Sequence, residues 1–203
     1  LNPDLPALLE KLSDGLPPGS LVVRGNPSPG GQVSLLVEPE ALFDVMARLR
    51  EEEGYDFLSN VTGVDWPDPA LADKVAPPPD GEASAPREVG FLEVVYHLYS
   101  TRDRIGPLVV RARTADRGDN AILPSVTPVF RSAEFQEREI YDLFGIVFTG
   151  HPDLRRILMW DEFVDHPMRK DYVPPSDHEY EPTPHDGVLE LANRHLDGKE
   201  GTP

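Results

Sequence analysis

Residues 137–158 read EREIYDLFGIVFTGHPDLRRIL, so four carboxylates, three arginines and a histidine interrupt a strongly apolar run. Acid–base catalysis needs two ionisable groups that meet in environments pushing their pKa values apart. Glu137 and Asp142 are five residues apart and do not face each other on a helix. Glu139 and Asp142 do lie adjacent, but the local sequence supplies no third group. A metal site needs ligands at a spacing that closes a shell. His151, His166, His178 and His185 fall late in the chain with acids nearby, and none forms an HExxH-like pair. His151 and His166 each precede proline, which biases them towards extended backbone. No phosphate loop or nucleophile elbow is present: RGNPSPGGQ (24–32) lacks the P-loop lysine and reads as turn chemistry. His97 stands alone on a strand face and is expected to be a satisfied structural histidine.

A helix must position most of these groups. At 100° per residue, the helix over Ala133–Phe144 puts Ile140, Leu143 and Phe144 on one stripe, with Gln136 beside it and Glu137 at its border. Arg138 and Asp142 fall nearly opposite and Glu139 on a flank. Glu134, Arg138 and Asp142 are spaced for i,i+4 ion pairs. That side therefore reads as a solvated polar face, whose exposed pairs are each worth about 0–1 kcal/mol. The helical pattern runs from Pro124, and Gly145 stops it.

Upstream, residues 3–15 and 39–54 read as amphipathic helices ending at glycine. SLVVRG and QVSLLVE form a hairpin around NPSPGG. Residues 55–66, 89–100 and 106–116 read as strands, the last two a hairpin with one apolar face. IVF (146–148) is a short strand between Gly145 and Gly150. The fold expected is α+β: a mixed or antiparallel sheet with helices mainly on one face. Residues 1–160 form the domain, with 67–87 an exposed loop insertion. Residues 161–203 form an extended, charged, proline-rich C-terminal tail, disordered or ordered by a neighbour, with a short helix near GVLELANRHL.

Composition narrows the function. With no cysteine, a disulfide, a thiolate nucleophile and a Cys-ligated iron–sulfur cluster are all excluded from this chain. A net charge of −17 disfavours nucleic-acid binding and direct attraction to an anionic membrane. No apolar run is long enough to span a bilayer, and the N-terminal residues do not read as a signal peptide. Arginine outnumbers lysine 15 to 4 and prolines number 23, compatible with a thermophilic source or a GC-rich genome.

The order of the motif says more than its geometry. Glu137-Arg138-Glu139, Asp142-Leu143-Phe144, His151 and Arg155-Arg156-Ile157-Leu158 together resemble the signature of the 30-kDa subunit (the C-type in bacteria) of the proton-translocating NADH:quinone oxidoreductase, respiratory complex I. YHLYS (96–100), PSVTPVF (124–130) and HPMRKDY (166–172, with His166, Arg169 and Lys170) are similar to that family too. The resemblance covers about residues 55–172. Quinone-coupled hydrogenases and a plastid complex contain similar subunits, so the electron donor stays open.

The resemblance implies a peripheral-arm subunit at the cytoplasmic face of the bacterial membrane, attached only through the complex. It implies packing against the 49-kDa quinone-site subunit. FMN, iron–sulfur clusters and quinone would sit in partner subunits, and this chain would bind none and catalyse nothing alone. The signature charges then read as an interface, bonded within the subunit and across to partners. Two rivals remain: a stand-alone metal-dependent enzyme using the late His and Asp residues, and a free-standing adaptor with an acidic tail.

Overall fold

The computed structural model describes residues 3–25, 32–68 and 90–174. A first compact unit runs from Leu1 to Tyr172; a second begins at Val173 and lies, after its first two residues, outside the described residues. The expected loop lies outside them from residue 69, as does the expected helix near residue 190.

Helix α1 (Leu5–Ser13) starts where the Asp4 side chain accepts a hydrogen bond from the Ala7 amide, and buries Leu5, Leu8 and Leu12. Helix α2 (Pro39–Glu51) opens on proline and buries Ala41, Leu42, Val45, Met46 and Leu49. Gly54, at φ +75°, turns the chain out of it, and the Tyr55 amide returns to the Leu49 carbonyl.

Five strands form the main sheet: β1 (Leu21–Arg24), β2 (Ser34–Val37), β3 (Phe57–Trp66), β4 (Phe91–Ser100) and β5 (Ile105–Arg113). Their order is β1-β2-β5-β4-β3. β2 and β5 pair in parallel and the other neighbours antiparallel, so the sheet is mixed. Side-chain alternation gives it one apolar face. Leu35, Val110, Tyr96 and Val61 align across four strands, and Val37, Ala112, Val94 and Gly63 form the next row. The buried residues of α1 and α2, with Ala133, Ile140 and Phe144 of helix α3 (Ala133–Phe144), complete a single core on this face. On the opposite face Glu93 is buried between Arg111 and Arg113, at 2.7 Å from each.

The helical reading of residues 124–144 requires correction. Residues 122–124 are strand β6 (Ile122–Pro124), parallel to β7 (Val147–Thr149), and α3 begins only at Ala133. Donors at 125–127 are used by the Glu137 side chain, and prolines at 124 and 128 oppose a continuous helix.

α3 lies along the free edge of β3. The Gln136 side-chain oxygen accepts the outward Val61 amide at 2.7 Å, and the Ser132 hydroxyl donates to the Leu58 carbonyl at 3.0 Å. An edge strand otherwise offers such groups to other chains. The approach requires Gly63, because a Cβ there would stand 2.7 Å from the Phe144 ring.

Gly63→Ala is therefore expected to cost about 1–3 kcal/mol by overpacking, read from urea unfolding. Phe144→Leu should recover part of that loss in the double variant. Additive losses would place the cost elsewhere.

Candidate functional site

The signature gathers around α3, and most of its charge is turned inward. Glu137 and Asp142 have 0 % exposure and Arg138 5 %. The expected solvated face is instead covered by residues 151–172, which fold back over the helix.

Glu137 faces the segment after β6. Its carboxylate accepts from the Ser125 hydroxyl at 2.5 Å, the Val126 amide at 2.8 Å and the Thr127 hydroxyl at 3.1 Å. Burial pushes its pKa up, against the pull of these donors. The His151 ring nitrogen Nε2 stands 4.0 Å away. That nitrogen lies 2.9 Å from the Glu134 carbonyl, while Nδ1 accepts the Asp153 amide at 3.0 Å. A ring that donates at Nε2 and accepts at Nδ1 is neutral imidazole, so Glu137 and His151 are not an ion pair in this arrangement.

Asp142 organises the turn at 157–159. One carboxylate oxygen accepts the amides of Ile157, Leu158 and Met159 at 3.0, 2.7 and 3.0 Å; the other accepts Arg156 at 2.6 Å. Burial raises its pKa, but these donors outweigh that effect and hold it below the ordinary carboxylate value. With both oxygens engaged, Asp142 has little capacity left to act as a base or nucleophile. Its main-chain carbonyl accepts from Arg156 and from His166 Nδ1, each at 3.1 Å.

The last carbonyls of a helix lack partners within it, and in α3 the returning chain supplies them. The Met168 amide donates to the Leu143 carbonyl at 3.1 Å and Arg169 to the Phe144 carbonyl at 2.7 Å. Arg156 and Arg169 also place positive charge at the negative end of the helix dipole. Burial lowers the pKa of His166, which favours the neutral ring donating from Nδ1. Gly145, at φ +77°, leaves no room for a side chain: a Cβ would meet the His166 ring at 2.4 Å.

Arg138 does not pair with Glu134 or Asp142. It donates to the carbonyls of Arg155 and Arg156 at 3.1 and 3.4 Å, and lies 3.7 Å from Asp153. The Arg155 side chain is exposed and pairs with Asp153. Glu139 is exposed on the flank, and Lys170 joins the site through its amide, which donates to Asp65 at 2.7 Å. Asp65 is a member that sequence reasoning missed, together with Arg117 and Asp171. Arg117 holds both carboxylates at 2.7 Å and fastens the segment ending at Tyr172 to β3. Separations of 52 and 54 residues left no periodic signal to find them by.

Among the described residues, no group of three or more His, Asp or Glu could hold a metal ion. His178 and His185 lie outside them. His97, expected to be satisfied, has a buried Nδ1 without a hydrogen-bond partner among the described residues, and burial lowers its pKa. Among the described residues no helix is long and apolar enough to cross a membrane.

The family model described as "Respiratory-chain NADH dehydrogenase, 30 Kd subunit" matches residues 35–178. The chain is 42% identical over 141 residues to the C/D subunit of NADH-quinone oxidoreductase of Bacteroides fragilis, covering 70% of this chain and 24% of that protein. It is 38% identical over 170 residues to the C subunit of NADH-quinone oxidoreductase of Roseiflexus castenholzii, covering 83% of each. The chain thus spans about a quarter of the C/D relatives it matches. Among solved structures it is similar to the trypsin-resistant fragment of Nqo5, at 29% identity and a TM-score of 0.50, covering 74% of this chain and 98% of that one.

The two buried carboxylates carry opposite signs of pH dependence. Asp142, held below its ordinary pKa of 3.8, contributes stability that is present above that value and lost as pH falls through its folded pKa. Glu137, raised above 4.5, contributes stability that is full below that value and lost as pH rises through its folded pKa. Asp142→Asn, which sets an amide against four donors, should cost about 3 kcal/mol at neutral pH and remove the acid-side loss. Glu137→Gln should cost less, since the hydroxyls of Ser125 and Thr127 can turn to accept, and should remove the loss with rising pH. Denaturant unfolding of both variants across pH checks each sign.

Proposed function

Because the chain belongs to the family of the 30-kDa subunit of the respiratory-chain NADH dehydrogenase, we propose that it assembles and stabilises the quinone-reducing module of NADH-quinone oxidoreductase, as a peripheral-arm subunit that catalyses nothing alone. The carrying observation is the reach of the family match, which runs from β2 through β3, β4 and β5 to α3 and the whole returning segment. In this reading NADH supplies electrons, and FMN, iron–sulfur clusters and quinone reside in partner subunits. Electron transfer is coupled to proton translocation in the membrane part of the assembly. The chain lies at the cytoplasmic face of the membrane and is attached through its partners.

Three features support this reading. A chain without cysteine cannot supply thiolate ligands to a cluster. The site's buried ionisable groups are bonded to the backbone rather than aimed into a cleft. The relative in Bacteroides fragilis carries the matching region as about a quarter of a protein whose name joins the C and D subunits. A region fused to its neighbour in one species is readily explained as one docked against that neighbour in another. The 49-kDa quinone-site subunit is the partner proposed.

The test is purification of the tagged chain from native membranes under mild detergent. NADH-quinone oxidoreductase subunits and NADH-dependent quinone reduction should accompany it; a chain recovered without them would refute the assignment. In the same preparation, Arg138→Ala should reduce the yield of assembled complex several-fold, because it frees the carbonyls of residues 155 and 156. The complexes that still form should keep their quinone affinity. Normal yield with weakened quinone binding would show instead that Arg138 serves the quinone site.

A further inference from the structure

We infer that residues 158–168 present a protein-docking surface, an apolar ridge with an acidic rim, whose occupant is a partner subunit's apolar face edged by lysine and arginine. This rests on the reading of the chain as a subunit of a larger assembly and adds which surface docks and the chemistry that meets it.

Leu158, Trp160, Val164 and Met168 are all exposed, Trp160 by 60 % and Val164 by 85 %. Four large apolar side chains within so short a stretch are more than scattered surface residues. They are not the product of a loose segment. Asp142 fixes the amides of 157–159, Arg156 holds the Asp165 carbonyl at 3.2 Å, and Met168 and Arg169 are tied to the end of α3. The bonding groups of this segment point to the domain, and its large apolar side chains remain in solvent. Trp160 stacks edge-on against Phe163 at 4.8 Å, and Phe163 lies 6.3 Å from the Tyr172 ring. The exposed tryptophan is therefore held in place before any partner arrives, which lowers the ordering cost of docking.

Charge selects the occupant. Asp161, Glu162 and Asp165 stand exposed around Trp160 and Val164, without an ion pair among the described residues. A second copy would bring the same three acids and a net charge of −17. An anionic membrane would bring like charge as well. Residues 175–203 carry seven acidic and two basic side chains. Each of these sets acid against acid, whereas a cationic rim around an apolar centre is complementary.

The test replaces Val164 with the photo-crosslinker p-benzoylphenylalanine in the full-length tagged chain, purified with its native complex and irradiated. The expected product joins position 164 to a peptide of another subunit that has lysine or arginine within a few residues. Asp161→Lys with Glu162→Lys should cut its yield at least five-fold, and Asp161→Asn with Glu162→Gln should cut it less. If the complex co-purifies but position 164 crosslinks only to residues 175–203, to a second copy, to lipid or to nothing, the docking surface is refuted while the subunit assignment stands. Crosslinking indifferent to the charge reversal would equally overturn it. If no NADH-quinone oxidoreductase subunit co-purifies, the assignment itself falls, and this inference with it.

Discussion

A carboxylate with no exposure must find donors, and Asp142 finds four of them in one turn of chain. Burying a charge without partners costs several kcal/mol, so α3 can keep Asp142 covered only if residues 156–159 arrive in one conformation. Other features follow from that constraint. Arg156 is fixed, and through it the Asp165 carbonyl. His166, Met168 and Arg169 then reach the exposed end of α3, where three successive carbonyls need donors. Gly145 is confined to glycine twice over, by its positive φ and by the His166 ring above it. Arg117 completes the clamp between Asp65 and Asp171.

Much of this was legible in sequence and some was not, for identifiable reasons. The two early helices, the hairpins and the glycine stop after Phe144 follow from local periodicity and turn chemistry. Of the apolar stripe, Ile140 and Phe144 lie in the core and Leu143 packs half-buried against it. The error on α3 lay on its other side. A helical wheel sorts residues by one covering surface, and α3 has two: the sheet, and the returning chain. Arg138 and Asp142 are polar because the second covering is main chain, whose amides and carbonyls bond to charged side chains. The parallel pairing of β2 with β5, and the reach of Arg117 to β3, depend on contacts across some 50 residues or more. Only the family resemblance, which depends on order rather than period, carried information about the whole of this segment.

The two buried acids of α3 show how environment divides one side-chain chemistry into two roles. Glu137 is met by hydroxyls and one amide, with no cation bonded to it among the described residues, and burial dominates its titration. Asp142 is met by an arginine and three amides, and its donors dominate. Such opposed pairs mark acid–base sites in enzymes when both face a substrate. Here each carboxylate faces its own piece of backbone, so the asymmetry orders two chain segments on either side of one helix.

The hydrogen bond from the Lys170 amide to Asp65 spans 105 residues. During synthesis, β3 leaves the ribosome long before its last partner exists. α3 likewise emerges before the donors of Asp142 at 156–159, whereas those of Glu137 at 125–127 precede it. The clamp closes only when residues 166–171 have emerged, so the outward-facing ridge that it holds is the final part of the domain to take shape. A chain interrupted before residue 156 lacks the donors that cover Asp142 and the segment that carries the proposed ridge. In the proposed role, competence for assembly would thereby be tied to completion of the domain.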